Sequence, residues 1–126
     1  MLSLLPILGL AVAGCGGGSA TCSGTVTLDG VPLKEGIITF DPYTHGPDAY
    51  GQVKDGAFTI STGQKEGLDS GRYRVSISAS TIPQMGTKEQ AKLLTPKKYA
   101  SFDTSGLEAD VKPGSNTFAF EMSSKP

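Results

Sequence analysis

The sequence predicts an all-β fold, a seven-stranded antiparallel β-sandwich with one short helix in its longest connection. Three observations carry this expectation. From Cys22 onward the apolar residues fall in short alternating runs, broken at close intervals by Gly, Pro and Asp, and no sustained helical period occurs. The 126 residues suffice for one ordinary domain and not for two. Seventeen Gly and eight Pro beside 37% hydrophobic residues are too many breakers for a helical bundle and too much apolar surface for a disordered polymer.

The strands follow in order. Thr25 to Leu28 alternates polar and apolar, Asp29-Gly30 turns, and Val31-Pro32-Leu33 leaves the turn. Gly36 to Phe40 is a β-branched second strand stopped by Asp41-Pro42, because proline cannot donate to a ladder. Ala49 to Val53 and Ala57 to Ile60 flank Lys54-Asp55-Gly56, so they read as an antiparallel hairpin. In Arg72 to Ser78 the residues Tyr73, Val75 and Ile77 face one way and the Arg and Ser side chains the other. Leu107 to Val111 repeats the alternation, Lys112-Pro113-Gly114 turns, and Phe118 to Met122 is the seventh strand. The connection from Ser80 to Ser105 is long for a compact domain and is expected to hold structure. Thr87-Lys88-Glu89-Gln90 has the form of a capping box ahead of Ala91 to Leu94, which predicts one or two helical turns whose apolar side, Ala91 and Leu94, covers an edge or end of the sandwich. Tyr99 and Phe102 would anchor the same connection.

Ahead of the strands lies a different kind of sequence. Leu2 to Gly14 is an uncharged, almost wholly apolar run of 13 residues. As a helix it would rise only about 20 Å, short of a hydrocarbon core of roughly 30 Å, and it has the length of a signal-peptide apolar region. Gly14 and the Gly16 to Gly18 run would interrupt a buried strand or helix here. The junction Val12-Ala13-Gly14-Cys15 resembles the lipobox of bacterial lipoproteins, in which small residues precede a cysteine that is acylated and becomes the new amino terminus. The expected organisation is therefore a signal peptide over 1–14 cleaved between Gly14 and Cys15, a flexible tether over 15–21, and a β domain over 22–126, with Cys15 as the lipidation residue. Two or three acyl chains, at about 0.8 kcal/mol per buried CH₂, hold a membrane far more firmly than one myristoyl chain. No Lys or Arg precedes the apolar run, and a start upstream of Met1 would supply one. The expected location is the bacterial cell envelope. Gly16 in place of Asp after the acylated residue points to the outer membrane in a two-membrane cell. Cys22, left over once Cys15 is acylated, reads as a small buried hydrophobe, with a free thiol or an intermolecular bridge as the other readings, and a Cys15–Cys22 disulfide as the alternative to acylation.

Gly24-x-Val26, Asp29-Gly30-Val31-Pro32-Leu33, Gly36-x-Ile38-x-Phe40, Asp55-Gly56-x-Phe58 and Gly71-x-Tyr73-x-Val75 together resemble the carboxypeptidase regulatory-like domain over about residues 22 to 79. The remainder, including Pro96 to Tyr99 and Thr104 to Leu107, resembles the second half of small bacterial envelope lipoproteins built on that domain. The resemblance implies a transthyretin-like (prealbumin-like) Greek-key sandwich and a module that does no catalysis itself.

The chemistry available elsewhere is sparse. A net charge of -1 gives no electrostatic case for nucleic acid as a partner. The candidate ligand loop is Asp41 to Asp48, with Asp41, Tyr43, His45 and Asp48 as its functional groups. Imidazole beside two carboxylates suits a transition metal, but there is no second His and no H-E-x-x-H spacing, so neither a metal site nor a cofactor is assigned. No G-x-S-x-G elbow and no D-x-[DN]-x-[DN]-G calcium loop occurs. Lys88, Lys92, Lys97 and Lys98 read as a solvated face, or as a contact for anionic lipid or cell-wall polymer. Tyr43, Tyr50 and Tyr99 read as a sugar-stacking platform or as loop anchors. The sequence reading is thus a non-catalytic, lipid-anchored envelope module with a binding, adhesion or structural role and an unknown envelope protein or glycan as partner. A carbohydrate- or peptide-binding domain using the 41–48 loop is its alternative, and a small metalloenzyme is the third class.

Overall fold

A computed structural model describes residues 19–80, 86, 88 and 93–125. The expected signal peptide, the Gly14–Cys15 junction and most of the expected helix lie outside the described residues. The chain is all-β. Its strands are β1 Ser19–Leu28, β2 Val31–Pro32, β3 Glu35–Pro42, β4 Ala49–Lys54, β5 Ala57–Thr59, β6 Ser61–Thr62, β7 Lys65–Glu66, β8 Leu68–Asp69, β9 Gly71–Ser78, β10 Leu107–Val111 and β11 Gly114–Met122. They form one sheet curled into a half-barrel, with the path β10-β9-β3-β4-β5-β1-β11 and the two-residue strands attached beside it. All seven runs singled out by alternation lie on that path, Ile60 falling just past the end of β5.

The two Asp-Gly pairs make the tight turns. Asp29 and Gly30 sit at φ 52° and 82°, and Asp55 and Gly56 at 51° and 82°. Positive φ at both central residues is the mirror-image turn whose twist matches the flanking strands. Leu28 accordingly pairs with Val31, and Lys54 with Ala57.

Three expectations are corrected. The sheet is not wholly antiparallel, because β1 pairs parallel with β11 over nine positions, Ala20 opposite Gly114 through Leu28 opposite Met122. These are the first and last strands, so the whole domain serves as the long crossover that a parallel pair requires. The strand also begins at Ser19, inside the expected tether. Ala20 pairs with both Gly114 and Leu68 and is buried there, which draws residues 19–21 into the sheet. The crossover helix is replaced, among the described residues, by a single 3-10 turn at Lys97–Ala100. At the end of the expected helix Leu93 makes an antiparallel bridge with Ser80, and the Leu94 N–H donates to the Ala79 carbonyl at 2.7 Å. Backbone pairing with the end of β9 thus holds this segment extended, and the Leu94 side chain is exposed rather than covering an edge.

The core is centred on Phe40 of β3. Its ring lies 5.8 Å from Tyr73, 6.1 Å from Phe120, 6.2 Å from Phe118 and 6.5 Å from Phe58, so one side chain joins β3 to β5, β9 and β11. Val26, Ile38, Val53, Ile60, Val75 and Ile77 pack around this cluster, all buried. The long connection is pinned by polar contacts. The Tyr99 hydroxyl accepts from the Ser123 N–H at 2.9 Å, Thr95 accepts from the Ala79 N–H at 3.2 Å, and the Ser105 hydroxyl donates to the Val75 carbonyl. Phe40→Ala is expected to cost about 3–5 kcal/mol, the usual range for emptying a packed aromatic site, read as a fall in the midpoint of urea denaturation with an unchanged slope.

Candidate functional site

Strand register places the candidate residues at one end of the half-barrel. β1 starts there at Ser19, β3 ends at Pro42, β8 and β9 meet at Asp69 to Gly71, and β11 starts at Gly114 opposite Ala20. The two Asp-Gly turns and Ser123 lie at the other end. Between the loop after β3 and the segment from β6 to β9 opens a cleft of about 490 Å³. Ser19, His45, Lys65, Glu66, Asp69 and Arg72 contribute its polar groups. The walls are braced from within, as the Thr62 hydroxyl donates to the Gly67 carbonyl at 2.8 Å and the Tyr73 hydroxyl to the Asp69 carbonyl at 2.7 Å.

The 41–48 loop does not act as one group. His45 lines the cleft, whereas Asp41, Tyr43 and Asp48 do not. Asp41 still belongs to β3, directly opposite Arg74 of β9, and the pair closes a 2.7 Å ion pair on the outer face. Arg74 also reaches Asp103 at 2.9 Å and lies 5.6 Å over the Phe102 ring, which anchors that part of the long connection as the sequence suggested. Beside it, Glu108 of β10 accepts from the Tyr43 hydroxyl and from Arg72, both at 2.7 Å, while the Arg72 guanidinium stands 5.1 Å over the Tyr43 ring. The result is a strip of paired charges across β3, β9 and β10. These groups are largely solvated, so the strip orients the loop more than it stabilises the fold.

The electrostatics follow from these contacts. The Tyr43 and Arg72 hydrogen bonds hold the Glu108 carboxyl below its ordinary range, and the same bond raises the Tyr43 hydroxyl. Asp48 is pushed up, first by burial and then by the hydrogen bond to and charge of Asp41. Cys22 is a free, buried thiol near the start of β1, raised to about 11 by burial, so it packs as a small hydrophobe.

The three tyrosines do not form one platform. Tyr99 is buried and bonded to Ser123, Tyr43 lies under Arg72, and Tyr50 is exposed on the outer face of β4 beside Ile37. Those last two side chains border a shallow groove of about 660 Å³ over β3, β4 and β5. The alternation of its strand marks Arg72 only as an outward-facing side chain, and nothing in the sequence singles out the other cleft residues Lys65, Glu66 and Asp69, because they come from a polar, turn-rich stretch that reads as ordinary loop. Their only signal is the density of turn residues from Gly63 to Gly71. Among the described residues no group of three or more His, Cys, Asp and Glu side chains gathers as a metal would need, and no helix is long and apolar enough to cross a membrane. No protein-family model, curated protein or solved structure matches this chain.

The sign of the Asp48 shift fixes its effect on stability. A carboxyl whose folded pKa is raised favours the fold when protonated, and that contribution is complete below the unfolded pKa and lost as pH rises through the folded value. Asp48→Asn is therefore expected to raise the thermal midpoint at pH 7 and to lose this advantage once pH falls below the ordinary carboxylate range, as read by a series of melting curves.

Proposed function

We propose that this chain is a non-catalytic, lipid-anchored module of the bacterial cell envelope, exported by the 1–14 leader and acylated at Cys15. The observation that carries the reading is the juxtaposition of the lipobox-like junction with a strand that begins at Ser19. Only residues 16–18 separate Cys15 from folded structure. Those three residues and their flanking bonds span at most about 14 Å when extended, so the barrel end bearing Ser19, the 42–48 loop and the cleft faces the lipid headgroups. In this reading the half-barrel is a seven-stranded Greek-key sandwich of the carboxypeptidase regulatory-like, transthyretin-like type. Its role is binding, adhesion or scaffolding, with an envelope protein or glycan as partner and the outer membrane as the location in a two-membrane cell. Labelled palmitate is expected in the wild-type chain and absent from Cys15→Ser, with that variant released from the membrane fraction. Label that persists in Cys15→Ser removes the anchor from the reading.

A second reading rests on the cleft. Its lining joins His45 of the loop after β3 to Glu66, Asp69 and Arg72 of the β6–β9 segment, a mixed set of donors and acceptors suited to a neutral polar ligand such as a glycan or a peptide backbone. Titration with soluble cell-wall fragments is expected to perturb the amide signals of residues 44–46 and 65–72. Binding weakened several-fold by His45→Ala favours this reading, and unperturbed spectra favour the scaffold.

A further inference from the structure

The half-barrel has two free edges among the described residues, and they are built differently. β10 is five residues long, carries Glu108 and Asp110, and runs into Lys112-Pro113. Charges and proline are the usual means by which an edge strand is kept from pairing with another chain. β11 is nine residues long, Gly-Ser-Asn-Thr-Phe-Ala-Phe-Glu-Met, with Glu121 as its only charge and no proline. Its one strand partner is β1, which leaves the other side of its backbone unpaired by any described strand.

The side chains of β11 also differ by face. Ser115, Thr117, Ala119 and Glu121 are exposed, whereas Phe120 and Met122 are buried and Phe118 is half-buried. Phe118 stacks on Phe120 at 5.8 Å and meets Phe40 edge-on at 6.2 Å. The aromatic core therefore opens to solvent along this edge.

We infer that β11 is a self-association strand, pairing antiparallel with β11 of a second copy across a two-fold axis through Phe118. In the register that uses all nine residues, Thr117 faces the partner's Ala119, Ser115 faces the partner's Glu121, and Phe118 faces the partner's Phe118. Side chains of the core face then meet core-face side chains, and the two half-barrels become one continuous sheet. The two Phe118 rings cover each other. Glu121 meets a hydroxyl rather than another carboxylate, so no like charges oppose each other, and this self-complementarity is what selects a second copy over a foreign strand. Pairing of β11 requires no acyl chain. Because it is antiparallel, it sets the two Ser19 ends at opposite ends of the joined sheet, so copies anchored as proposed above pair only from two facing membranes.

The test uses the full chain in detergent micelles, sized by light scattering across a concentration series. The wild type is expected to pass from monomer to dimer. Thr117→Lys with Ala119→Lys brings four ammonium groups together at the axis and is expected to give a monomer. Thr117→Lys with Ala119→Glu places opposite charges face to face twice and is expected to restore the dimer. All of these positions are exposed, and circular dichroism checks that each variant keeps its β signal. Hydrogen exchange on the wild type needs no substitution, and on dimerisation it is expected to slow at β11 amides and not at β10. A wild type that stays monomeric up to about 1 mM, where association would be worth only about 4 kcal/mol, overturns the inference. So does a folded double-lysine variant that still dimerises, a folded charge-swap variant that does not, or protection that appears on β10 instead.

Discussion

The parallel ladder between β1 and β11 is the constraint on which the rest of the molecule depends. It brings residues about ninety positions apart into register and closes the path that begins at β10. Its geometry rests on a glycine. A Cβ at Gly24 would run into the carbonyl oxygen of Phe118, so the two backbones approach as closely as they do only because that position carries no side chain. From this ladder β1 reaches in the other direction to β5 through Gly24–Phe58 and to β8 through Ala20–Leu68. One strand thereby organises four neighbours, including the short hairpin strand β2. Pairings of such sequence separation reward the chain only after a large loop-closure entropy has been met, which makes this a slow-folding topology for its size.

Alternation then divides the molecule into two chemical surfaces. On β9, Tyr73, Val75 and Ile77 join the Phe40 cluster, while Arg72 and Arg74 on the same strand hold Tyr43, Asp41, Asp103 and Glu108 on the outside. The inner surface is dry and aromatic, and it supplies the stability. The outer strip is solvated and pairs nearly every charge it contains, so it fixes the base of the 42–48 loop. The cleft lies where these surfaces end, at the end of the half-barrel where β1 begins at Ser19.

Much of the fold was legible because β structure advertises itself locally. Tyr73-x-Val75-x-Ile77 needs no partner to declare a buried face, and Asp29-Gly30 and Asp55-Gly56 need none to declare a turn with positive φ. The cleft was less legible. The 41–48 loop read as one functional group because its residues are adjacent in the chain. A period of two aims Asp41 at Arg74 on the outer face, and the loop's own path carries His45 away toward the β6–β9 segment. At Leu93 and Leu94, the described end of the expected helix, the expectation fails for a related reason. The local capping pattern at Thr87 to Gln90 does not foresee that Ala79 and Ser80, at the end of β9, offer Leu93 and Leu94 a backbone partner.

What the sequence determined by itself is therefore what depends on neighbours a few residues apart: the all-β class, the seven alternating runs, the two tight turns, and the apolar run ending at a lipobox-like cysteine. What only the tertiary structure decided is what depends on residues far apart. This includes the parallel joining of first and last strands, the start of β1 at Ser19, the separation of His45 from Asp41 and Tyr43, and the contrast between a charged edge at β10 and a nearly uncharged one at β11. The physical reason is that hydrogen-bond pairing between strands is indifferent to sequence distance. Periodicity says which face of a strand is buried, and only the closed sheet says which strand lies beside it.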